Sequence, residues 1–167
     1  MGSPARMSSL TKLTLALAAA LLVTAPVALA AEETPREKYV ATVEPICKAN
    51  TEANSRILKG VKDQVKQGKL VPAGKRFIRA SSALGTAVGK ISAVPQPSED
   101  AAKLTKWIGY LKHEKTFLQK IGTALKARDK FHAQKLAVEL NKNNNQANNT
   151  VISFGFNECR IDSSRFI

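Results

Sequence analysis

Few side chains in this protein can do acid–base, nucleophilic or ligating chemistry. His113 and His132 are its only imidazoles, and Cys47 and Cys159 its only thiols. Asp129-Lys130-Phe131-His132 has the spacing of half a metal-binding pair. A di-metal helical site, however, needs a Glu on two helices and a Glu-x-x-His pair on two others, and no histidine precedes residue 113. No metal site is expected, and no cofactor. Tyr110 and His113 stand one helical turn apart, a spacing that can offer a phenol and an imidazole to a haem iron. His113 falls opposite the apolar stripe of its segment, where solvent is the expected surrounding. There is no C-x-x-C-H motif and no glycine-rich phosphate loop. A serine or cysteine nucleophile would need a histidine brought to it from a distant segment. No catalytic residues emerge, and the chain is not expected to be an enzyme.

Two polar groupings remain. Asn141, Asn143, Asn144, Asn145, Asn148 and Asn149 crowd one late segment, with Asn143 and Asn144 falling towards its apolar face, as Asn50 and Asn54 do in an early one. A buried amide without partners costs about 1–3 kcal/mol, so Asn50, Asn54, Asn143 and Asn144 form a self-satisfied polar network, a wet cavity or a ligand pocket. A structural network or a locally frayed helix is the expectation, because Asn is a poor helix former. The second grouping is basic. Lys62, Lys66, Lys69, Lys75, Arg76 and Arg79 flank one expected turn, and Lys120, Lys126, Arg128, Lys130 and Lys135 another, against only Asp63 and Asp129.

The elements that must position these groups follow from the patterning. Met1 to Lys12 is basic and leads into an apolar run from Leu13 to Val23, with Ala28-Leu29-Ala30 behind it. Residues 1–30 have the build of a secretory signal peptide cleaved after Ala30, leaving a domain over 31–167. No cysteine follows the cleavage point, so a lipid anchor is not expected, nor is stable membrane insertion after cleavage. Loss of Arg6 and Lys12 lowers the net charge from +13 to +11.

Thr34-Pro35-Arg36-Glu37 is a capping box with proline at the first helical position. A stripe through Tyr39, Val43, Ile46, Asn50, Ile57, Val61 and Val65 predicts one helix ending near Gly68, kinked or restarted at Pro45. Lys69 to Pro72 is expected to be a turn. A second helix follows from about Ala73 to Ser92, with Gly85 and Gly89 allowing close packing. Val94-Pro95-Gln96-Pro97 breaks the pattern, and Ser98 caps a third helix from about Glu99 to Lys126. A fourth ends at Gly155. No strand-like alternation occurs.

The fold class is therefore all-α, an up-down-up-down four-helix bundle. Cys47 and Cys159 lie near the two ends of the domain, which this topology brings to one pole. A disulfide between them suits an exported chain, and closing so long a loop removes about 4–5 kcal/mol of denatured-state entropy. Two free buried thiols are the alternative. The two basic turns fall at the opposite pole, with eleven basic and two acidic residues between them. Lys69, Lys75, Arg76, Arg79, Lys126, Arg128 and Lys130 are the candidate polyanion contacts there.

The opening Tyr39-Val40-Ala41 through Ile46-Cys47, and the closing Phe154-Gly155-Phe156-Asn157-Glu158-Cys159, resemble a family of small secreted or lipid-anchored helical proteins of actinobacterial type. That resemblance implies a helical bundle with a terminal disulfide and no established activity. The expected function is a secreted, non-enzymatic, basic binding or cell-envelope-associated protein. Its partner is expected to be an anionic envelope polymer or anionic surface, without sequence-specific nucleic-acid recognition, since few aromatics accompany the basic residues. The alternative function is a small-ligand carrier, with haem as one candidate, using the bundle interior around the asparagines.

Overall fold

The computed structural model describes residues 32–162, so the signal segment expected at 1–30 lies outside the described residues. Four long helices, α1 (Pro35–Leu58), α3 (Leu70–Ser92), α4 (Ala101–Lys126) and α5 (Lys130–Thr150), run up and down, with the short α2 (Val61–Lys66) between α1 and α3. No strand occurs among the described residues. The capping box forms as expected: Thr34 Oγ1 accepts from the Glu37 N–H at 3.2 Å, and the Thr34 N–H donates to Glu37 Oε2 at 2.7 Å. That pairing holds the Glu37 carboxyl below the usual carboxylate range.

The single long first helix is corrected in two places. α1 continues through Pro45, because Pro45 and Ala41, whose carbonyl loses its helical partner, are both exposed and water can take that carbonyl. The interruption comes at Lys59-Gly60 instead. Gly60 adopts a left-handed φ of 75°, and the Arg76 guanidinium donates to the Lys59 carbonyl at the end of α1. The expected turn at Lys69 to Pro72 is also displaced. Leu70, Val71 and Pro72 form the first turn of α3, where proline's missing N–H has no helical partner to lose. α4 begins at Ala101, with Asp100 rather than Ser98 at the N-cap position, and α5 ends at Thr150 before a 3-10 turn at Ile152–Phe154.

Backbone-to-backbone helix packing occurs at Gly74 and Gly122, while Gly85 lies against the Lys115 side chain, which a Cβ would meet at 3.1 Å, and Gly89 packs on nothing. A Cβ on Gly74 would lie 2.5 Å from the Gly122 carbonyl oxygen, whereas one on Gly89 would meet nothing within 4 Å. These two glycines bring the start of α3 onto the end of α4. Ser81 Oγ, donating to the Lys115 carbonyl at 2.9 Å, ties the same pair further along. α1 packs on α3, α3 on α4 and α4 on α5, while α1 and α5 make no comparable backbone approach. The fourth side of the bundle is thus a wider seam.

At one pole that seam is closed covalently. Cys47 and Cys159 are disulfide-bonded, with Cα atoms 5.0 Å apart. One turn before Cys47, the Glu44 carboxylate accepts the backbone N–H groups of Asn157 and Glu158 at 2.6 and 2.7 Å. Asn148 and the Ile161 backbone exchange two hydrogen bonds, each 2.9 Å. Trp107, fully buried, stacks on Phe156 with ring centroids 5.2 Å apart. Arg36 at the start of α1 grips buried Asp100 through two 2.7 Å hydrogen bonds and lies over the Phe154 ring. Both the start and the end of the domain are therefore fastened at this pole.

Candidate functional site

Two open spaces among the described residues lie on the side of the bundle where α1 and α5 do not meet. The first is a cavity of about 80 Å³ beneath the disulfide, with Asn50 and Asn54 of α1, Trp107 and Glu114 of α4 and Asn144 of α5 on its walls. The sequence places Asn50, Asn54, Asn143 and Asn144 together, and the structure joins three of them here. Asn54 Nδ2 donates to Asn50 Oδ1 at 3.3 Å. Asn143 turns aside, donating to the Tyr110 carbonyl at 3.0 Å and to Asn144 Oδ1 at 3.3 Å.

That network is only partly satisfied. Asn54 Oδ1, Asn144 Nδ2 and Trp107 Nε1 are buried without a hydrogen-bond partner among the described residues. Groups of this kind call for water, which occupies about 30 Å³ per molecule in the liquid, so the cavity has room for a few waters that bridge donors and acceptors. It is far too small for a haem macrocycle. Tyr110 and His113 are not among its lining residues, and His113 is exposed.

Glu114 is the functional-looking residue that the sequence reading passed over. It lies three residues after Leu111 and four before Leu118, squarely on the apolar stripe, and that spacing was the available signal. Half-buried against the cavity, with no ion-pair partner among the described residues, its carboxyl is pushed up to about 8 by burial. Glu158 and Arg160 line the same space near the disulfide. Thr51 and Asp162, with the amides and the indole, complete its polar lining. Among the described residues, no group of three or more His, Cys, Asp or Glu side chains could hold a metal ion.

The second region is the opposite pole. The turns leading into α3 and α5 lie side by side because Gly74 and Gly122 let their helices touch. Lys69, Lys75, Arg79, Lys126, Arg128 and Lys130 are all exposed there, while Arg76 is half-buried and partly engaged by the Lys59 carbonyl. None of the seven forms an ion pair with a described carboxylate. Asp129 has its side chain committed to the N–H of His132 at 2.9 Å as the cap of α5. Arg128 adopts a φ of 62°, the left-handed region that a side chain enters only at a cost.

This pole also holds the larger space. A slot of about 260 Å³ opens between α2 and α5, floored by Phe77 of α3 and by Ile121 and Leu125 of α4. The sequence shows no trace of it, because it exists only where two helices distant along the chain fail to meet. Among the described residues, no helix is long and apolar enough to cross a membrane.

No family model matches the chain, and neither the curated proteins nor the solved structures include one that matches it.

Proposed function

We propose that this chain is a secreted, non-enzymatic binding protein that docks through its basic pole on an anionic polymer of the cell envelope. The observation that carries the reading is the gathering of Lys69, Lys75, Arg79, Lys126, Arg128 and Lys130 around two adjoining turns with no described carboxylate paired to any of them. Unpaired surface cations raise the local potential and draw a polyanion, and each anionic group they neutralise releases a condensed counterion. Arg128 supports the same reading. It places an exposed cation in a left-handed position that glycine or asparagine would occupy with less strain. The signal segment expected at residues 1–30 and the terminal disulfide agree with an exported protein.

The test is salt-dependent retention on immobilised heparin and on an anionic wall polymer. Because Arg76 also holds the end of α1, it is left in place. A triple change of Lys69, Lys75 and Lys126 to Glu is expected to reduce the eluting salt concentration steeply. The same charge reversal at Lys48, Lys90 and Lys103, which lie elsewhere on the surface, is expected to change it much less, since exposed charges beyond about 8 Å are screened at physiological salt. Equal losses would mean that net charge alone is felt and that no localised site exists.

A further inference from the structure

We infer that the slot between α2 and α5 is a binding site for the aliphatic chain of a fatty carboxylate, with the rim lysines holding its head group. The inference goes beyond polyanion docking and shares with it only the charge of the pole. The slot's walls are apolar on every side: Val61 and Val65 from α2, Phe77 below, Ile121 and Leu125 from α4, and Ala137 from α5. Its polar members are concentrated in Lys62, Lys66, Lys130 and Gln134. Lys66 and Lys130 are exposed and belong to no ion pair with a described carboxylate.

An apolar trough with several cations and no anion at its edge complements a molecule that is apolar along its length and negative at one end. A neutral chain would leave Lys66 and Lys130 without a counter-charge, and a cationic one would be repelled. Size narrows the class further. A cavity of about 150 Å³ takes the six carbons of benzene, so 260 Å³ accommodates roughly ten carbons in the same proportion. That is one aliphatic chain and not the paired chains of a phospholipid.

The probe is decanoate, titrated calorimetrically into the intact mature protein below the ligand's micellar concentration. Saturable one-to-one binding is expected, strengthening about fourfold per methylene from hexanoate to decanoate, and no binding of decyltrimethylammonium. Ala137→Leu, which fills the slot with a good helix former and leaves every charge in place, should weaken decanoate at least tenfold while heparin retention is unchanged. Ala133→Leu provides the same test from a neighbouring wall, should the first variant fold poorly by circular dichroism. Lys66→Glu with Lys130→Glu should weaken both decanoate binding and retention. Failure of decanoate to bind the wild type, or equal binding by both slot-filled variants, overturns the inference. So does concentration-dependent dimerisation lost in Ala137→Leu without decanoate binding, which would make a second copy the occupant. If pole charge reversal leaves retention intact while Ala137→Leu still abolishes decanoate binding, the polyanion reading falls and the slot stands.

Discussion

Asn144 is where a single residue's chemistry is most sharply constrained. Its Nδ2 is buried without a partner, and its Oδ1 accepts only from Asn143, which keeps the Tyr110 carbonyl as a second acceptor. Replacing Asn144 with Leu removes an unpartnered buried donor, costs Asn143 only the longer of its two hydrogen bonds and fills part of an 80 Å³ space. Stability in urea is expected to be equal or higher by about 1 kcal/mol, and a loss above that would show that water in the cavity contributes more than the amide costs. The glycines give a paired prediction. Gly74→Ala puts a methyl group 2.5 Å from the Gly122 carbonyl oxygen and should destabilise by about 1–3 kcal/mol, since two backbones must separate. Gly89→Ala meets open space in the last turn of α3 and should stabilise by about 0.5–1 kcal/mol. Thermal unfolding of the two variants decides both signs.

Among the elements, α1 is held along its first half by groups that lie far away in sequence. Arg36 grips Asp100, Glu44 takes two backbone N–H groups of the closing segment, and the Cys47–Cys159 bond spans 112 residues. α1 lacks a close backbone neighbour in α5, so these fastenings replace the helix–helix packing that a closed bundle would supply there. Cys47→Ser with Cys159→Ser is expected to lower unfolding free energy by about 2–5 kcal/mol in guanidinium, with a steeper denaturant dependence because the unfolded chain expands. Helix content should survive, because the Glu44 hydrogen bonds do not depend on the sulfurs. A double variant unfolded at neutral pH would show that the bond is a condition for folding rather than an increment of stability.

For the whole molecule, two groups of opposite sign set the pH dependence. Glu114 keeps its proton in the folded state up to about pH 8, whereas an exposed glutamate releases it near 4.5. Between those values the folded form holds a proton that the unfolded form has lost, so this group's contribution is full below 4.5 and declines as pH rises to 8. Asp100 is the reverse case. The hydrogen-bonded Arg36 guanidinium lowers its carboxyl, so its contribution is present above the ordinary aspartate range and is lost as pH falls through the lowered value. Stability is expected to peak in mildly acidic solution. Glu114→Gln should flatten the decline between pH 5 and 8 and be the more stable protein at pH 8 by on the order of 1 kcal/mol. Parallel thermal-denaturation profiles of the two proteins from pH 4 to 9 would refute this if their difference stayed constant.

What the chain determines by itself is local or periodic. The Thr34 capping box, the apolar stripes of α3 and α4, the breaks at Pro95-Pro97 and near Arg128, and the inward lean of Asn54, Asn143 and Asn144 are all written in spacing, because a 3.6-residue period and a cap need only neighbouring residues. The bundle class and the Cys47–Cys159 pairing follow one step later, since four stripes with short connections leave few ways to bury them. Pro45 does not restart the helix, because on an exposed face water can take the carbonyl that it frees. Gly74 and Gly122 were indistinguishable from Gly85 and Gly89 until α3 and α4 were laid together. The seam and the 260 Å³ slot were decided by tertiary structure alone, and so was the elevation of the Glu114 carboxyl, although its place on the apolar stripe is legible in the spacing. Each depends on how far apart α1, α2 and α5 come to rest once α3 and α4 have packed, a distance set by side chains that no one segment contains.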